Sequence, residues 1–188
     1  MSAQPADLLD PATAVKPSAR SVQPFDVLDA CHKQMVTALS QLGQLVEHLQ
    51  EHGIDGHART LASDLFQFFM NTARQHHIDE EKHIFPALIQ SGDDELVRVT
   101  MRLQQDHGWI EEDWLELAPQ IESIAAGYNW YNIDQLLHAV PVFQALYQDH
   151  MALEESMIYP EAKSRIAEWD LKGMGREMAQ RRRIGRGA

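Results

Sequence analysis

The chain has 188 residues, of which 44% are hydrophobic and 23% charged, enough for one well-buried domain and short for two. A net charge of −12 argues against nucleic-acid binding by the body of the domain, and the single cysteine, Cys31, excludes a disulfide framework or a thiolate metal site. No apolar run reaches the roughly 18 residues of a membrane helix, and the N-terminus carries neither a basic leader nor an apolar block. The expectation is a soluble, cytoplasmic protein with no membrane or nucleic-acid partner.

Residues 1–24, rich in Ala, Pro, Ser and Asp without periodicity, read as a flexible arm. From Phe25 apolar positions recur at spacings of three and four: Leu28, His32, Met35, Leu39, Leu42, Val46 and Leu49 make one stripe of a first helix, which Gly53 and Gly56 end. A second stripe runs Leu61, Leu65, Phe68, Thr72, His76, Glu80, His83 and Ala87 to near Gly92. Residues 91–94 supply N-cap candidates for a third helix with the stripe Leu96, Val99, Leu103, His107, Ile110, Trp114, Leu117 and Ile121. After a turn over 127–132, Leu136, Val140, Phe143, Tyr147, His150, Glu154 and Met157 mark a fourth, with Pro119 and Pro141 as bends or kinks within the last two helices. Residues 167–188 read as a short helix and a basic tail. Six of the sixteen bases follow Asp170 with only Glu177 against them, which suits a frayed, solvating terminus.

Four amphipathic helices on short loops and no strand pattern predict an all-α fold, an up-down-up-down antiparallel four-helix bundle over 25–166. Each stripe carries a histidine where a core residue belongs. Buried imidazoles and carboxylates are costly unless paired or ligated, so four such violations call for one shared explanation. Counting from the shared loops at about 1.5 Å per residue places His32, His76, His107 and His150 in one layer of the core.

Two carboxylates accompany them. His76 and Glu80, and likewise His150 and Glu154, stand i, i+4 on one helix face. The surrounding sequences repeat as H-x-x-x-E-E-x-x-I-[F/Y]-P, from His76 to Pro86 and from His150 to Pro160. Nitrogen and oxygen donors on four facing helices, without sulfur, suit a di-iron centre with manganese or zinc as competitors.

The doubled motif, with a lone histidine before it and another between its halves, resembles the hemerythrin-like or HHE cation-binding family over about residues 25–166. The resemblance implies a non-haem, oxo- or hydroxo-bridged pair of iron ions held by His32, His76, Glu80, His107, His150 and Glu154, the two glutamates bridging. Oxygen carriers of that family have a further histidine one turn after the third-helix ligand; this chain has Glu111 there, taken as a candidate seventh ligand, and Glu155 rivals Glu154. A more oxygen-rich shell favours ferric iron over reversible dioxygen carriage.

A ferritin-like set would need Glu-x-x-His on two helices, and only Glu80-x-x-His83 fits, so His83 is read as a neighbouring core residue. His77 is a fringe candidate; His48, His52, His57 and His138 read as surface residues, and Cys31 as pointing off the stripe. Tyr147 could donate a hydrogen bond into the site. Phe69, Leu103, Ile110, Trp114 and Phe143 read as core, with a small apolar pocket for a diatomic ligand as a further option. The functional expectation is a protein that binds or senses dioxygen, nitric oxide or peroxide, or handles iron. The alternatives are a di-iron enzyme (ferroxidase, peroxidase or iron donor for cluster repair) and a metal-free helical interaction module. A homodimer stays open.

Overall fold

A computed structural model describes residues 23–184, and every regular element among them is helical. The first helix, α1 (Pro24–His52), starts on a proline suited to a helical first turn. Helix α2 (Gly56–Gln67) is capped by Asp55, which accepts from the Ala58 amide at 2.8 Å. A π-helical segment (Phe68–Ala73) follows, then α3 (Arg74–His83) and the short α4 (Phe85–Ile89). Asp93 caps α5 (Asp94–Ala126), and Gly127, left-handed at φ 85°, ends it by donating to the carbonyls of Ile124 and Ser123. Asn132 caps α6 (Ile133–Leu153), a second π segment (Glu154–Ile158) continues the rod, and α7 (Tyr159–Arg165) and α8 (Glu168–Ile184) complete the chain. The expected arm lies, apart from Gln23 and Pro24, outside the described residues, as does Arg186 of the tail.

The elements form the expected bundle, with the loops where the glycines and caps indicate. Its apolar interior is divided. One cluster holds Met35, Leu39, Phe69, Ile110, Trp114, Phe143 and Tyr147, the other Leu28, Ile84, Phe85, Leu103, Ile158 and Tyr159. On all four rods the polar stripe residues fall between members of the two clusters: His32 between Leu28 and Met35, His76 and Glu80 between Ala73 and Ile84, His107 between Leu103 and Ile110, His150 and Glu154 between Tyr147 and Ile158. One buried polar layer therefore separates two oily halves.

Three expectations change. The second stripe does not run through Phe68 and Thr72, both of which are half-buried or exposed; Phe69 and Ala73 face the core instead. The π segment widens one turn by a residue, which rotates everything before it relative to a regular 3.6-residue period. The basic end, as far as Arg182, is also not a frayed terminus. Met174 and Met178 of α8 are buried in the second cluster, and Arg181 and Arg182 reach Asp79, whose oxygens they meet at 2.5 and 2.6 Å. Asp79 is 1% exposed, so its carboxylate depends on those two cations. The double variant Arg181→Ala/Arg182→Ala should lose about 2–3 kcal/mol of stability in urea titration, somewhat below a fully buried pair because the guanidinium groups keep some solvent. Cys31 likewise is buried in the first cluster, near the Thr72 carbonyl, rather than turned away.

Candidate metal centre

The four histidines meet in the polar layer as two pairs. His32 Nε2 lies 3.0 Å from His76 Nε2, and His107 Nε2 lies 3.1 Å from His150 Nε2. The carboxylates lie between the pairs. Glu80 puts one oxygen 3.3 Å from His76 Nε2 and the other 3.4 Å from His107 Nε2. Glu154 puts one 3.2 Å from His32 Nε2 and the other 3.0 Å from His150 Nε2. Both glutamates are 0% exposed. The donors form two overlapping sets, His32, His76, Glu80 and Glu154, and Glu80, His107, His150 and Glu154, with ligand atoms in each within 4.8 Å of one another.

Outer carboxylates fix which ring nitrogen faces inward. His32 Nδ1 donates to Glu155 at 2.9 Å and His107 Nδ1 donates to Glu81 at 2.8 Å. An ionised carboxylate can only accept, so those Nδ1 atoms carry a proton and the Nε2 atoms face the layer. Glu80 Oε2 and both oxygens of Glu154 are buried without a hydrogen-bonding partner among the described residues, although histidine nitrogens stand close by. The contacts have the distance but not the geometry of hydrogen bonds. Metal–ligand bonds of about 2.1 Å place neighbouring donors of one ion about 3 Å apart, the spacing found here.

Electrostatics lead to the same conclusion. Burial alone would strip the proton from His76, yet the charge of Glu80 beside it holds the ring well above the usual histidine range. Burial opposes the charged form of His107 and His150 too, but Glu154, Glu80 and Glu81 raise His107, and Glu154 and Asp106 raise His150. Glu154, which burial should push up, is held well below the carboxylate range by His150 and its neighbours. Two buried carboxylates thus draw positive charge into the layer, whether as protons or as cations.

The repeat explains the pairing. Glu81 and Phe85 of the first copy serve His107, Phe85 by stacking at 5.3 Å between ring centroids. Glu155 and Tyr159 of the second copy serve His32, with the same 5.3 Å stacking distance. The copies differ in one atom that matters: the Tyr159 hydroxyl donates to Glu80 at 2.5 Å and lies 3.1 Å from His32 Nε2. Tyr159, not Tyr147, is therefore the phenol at the centre, and the F/Y position of the repeat was the signal for it. Tyr147 is buried against His77 and Phe143.

Of the seven predicted ligands, Glu111 stands apart. It is half exposed on the rim of a pocket and pairs with Arg74 at 3.3 Å. After His107 the buried line of α5 continues through Ile110 and Trp114, and Glu111 lies beside that line at the pocket. Glu154, i+4 from His150, lies inside the layer, and Glu155 meets His32 from outside it, as Glu81 beside Glu80 meets His107. His83 turns to α8, meeting Glu177 and Arg181.

A family model for the Hemerythrin HHE cation binding domain matches residues 23–162, the stretch that carries all these groups. The chain belongs to this family. It is also 27% identical over 162 residues to an uncharacterized protein of Haemophilus influenzae, an alignment covering 86% of this chain and 91% of the relative. The hemerythrin-like domain is thus a metal-binding helical bundle, and α8 packs on it from beyond the matched region. No helix among the described residues is long and apolar enough to cross a membrane.

Proposed function

We propose that this hemerythrin-like domain holds two iron ions and binds or senses dioxygen, nitric oxide or peroxide, or handles iron. The observation that carries the reading is the sharing of Glu80 and Glu154, each with its carboxylate spanning both histidine pairs at 3.0–3.4 Å. Carboxylates so placed bridge two ions, and a set of four imidazoles and two carboxylates without sulfur suits iron, with manganese or zinc next. His32, His76, Glu80 and Glu154 would hold one ion, and His107, His150 and the same two glutamates the other. Iron there would supply redox chemistry toward small oxygen-containing molecules. The protein's part is to orient the inner nitrogens through Glu155 and Glu81, hold Glu80 through the Tyr159 hydroxyl, and exclude bulk water between two apolar clusters. Cys31 is a buried free thiol, which suits a cytoplasmic setting.

The reading is tested by metal content per chain and the near-ultraviolet absorption of untagged protein. The expected result is two irons with a charge-transfer band, and a loss of iron and band in His150→Ala. Zinc alone, or no metal after anaerobic Fe(II) reconstitution, overturns it.

A second reading, catalytic turnover as a ferroxidase, peroxidase or iron donor, is favoured by a cavity of about 400 Å³ that opens from solvent to His107. Sustained consumption of Fe(II) or peroxide over many turnovers distinguishes it from binding alone.

A further inference from the structure

We infer that His77 receives the small molecule at this centre: its Nε2–H hydrogen-bonds an anionic or oxygen-bearing ligand that enters through the pocket and stops beside His107 and His150. The inference rests on the two-ion reading above. It starts from a residue that no part of that reading uses. His77 follows His76 by one residue, and a helical step of about 100° turns it from the ion-facing stripe to the neighbouring pocket. There it shares the lining with Met70, Glu81, His107, Trp114 and Tyr147.

Three observations give it a task. Its Nε2 is buried and has no hydrogen-bonding partner among the described residues, an arrangement that disfavours folding unless a ligand completes it. Its ring stacks against His107 at 4.1 Å and 15° and against Tyr147 at 5.8 Å and 28°, which restrains the nitrogen from turning to another partner. And one ring nitrogen each of His77, His107 and His150 lie within 4.8 Å of one another, so whatever His77 meets is adjacent to the second ion's position.

The same stacking argues against His77 as a ligand itself. An imidazole binds an ion in its own ring plane, and two rings stacked nearly parallel at 4.1 Å cannot both hold one ion in plane. A molecule beside the ion, on the pocket side, is within reach of Nε2. Small size follows from the ion's position: the ligand has to fit beside His77, His107 and His150, one ring nitrogen of each lying within 4.8 Å of the others.

Azide is the probe. The full chain, loaded with iron and oxidised, is titrated with azide and followed by the azide-to-ferric charge-transfer absorption, with iron per chain measured on each sample. His77→Phe keeps the ring stack and removes the donor; His77→Gln keeps an N–H. The expected result is azide affinity at least tenfold weaker in His77→Phe, within about threefold of wild type in His77→Gln, and unchanged iron content in both. Equal azide affinity in wild type and His77→Phe overturns the inference, as does loss of one iron per chain in His77→Phe, which would make His77 a ligand. Wild-type protein that takes up no iron overturns the two-ion reading itself, and this inference with it.

Discussion

Glu154→Ala is expected to leave less than one metal ion per chain, whereas Glu155→Ala keeps two and binds them about 10–100-fold more weakly. Adjacent glutamates are predicted to behave so differently because they stand on opposite sides of His32. Glu154 is 0% exposed and its oxygens approach His32, His150 and, at 3.9 Å, His107, so its loss removes a donor from both ions together. Glu155 is more than half exposed and only takes the proton of His32 Nδ1, so its loss frees the ring to turn without deleting a donor. Mass-spectrometric metal analysis after dialysis at limiting metal reads both quantities. Equal losses in the two variants would contradict the placement of Glu154 as the shared ligand.

Metal removal is the second large effect. In the chelated protein two buried carboxylates and four buried imidazoles have only protons to balance them, and such groups disfavour the folded state by several kcal/mol when unpaired. Metal present at about a thousandfold over its Kd stabilises by about 4 kcal/mol. For a domain of this size that is about 8–16 °C in Tm. A scan with and without chelator measures it. An unchanged Tm, with His76→Ala equally unchanged, would favour the metal-free interaction bundle instead.

The positions of the helices and the layer of four histidines follow from the one-dimensional pattern. Stripes of period 3.6 state which face is buried, glycines and Asp or Asn caps state where rods end, and a fixed rise per residue then sets His32, His76, His107 and His150 at one height. The doubled motif added Glu80 and Glu154, since i, i+4 on a helix is a local relation. Beyond that, tertiary structure decided. The first π segment is a local departure from the helical period with no signature in hydropathy, and it determined that Phe69 rather than Phe68 packs the core. The choice of Tyr159 over Tyr147 depends on which element its ring crosses to reach, α1 and its His32, a relation 127 residues apart in the chain. Glu111 stands at the pocket rim, where Arg74 of another helix meets it. The basic end, judged by composition as solvated, is docked because a buried Asp79 on α3 attracts Arg181 and Arg182 across 103 residues in the case of the latter. Periodicity and spacing record what a residue does within its own helix. Which carboxylate, phenol or cation completes a neighbour's charge is a property of helices brought together, and it exists only in the assembled bundle.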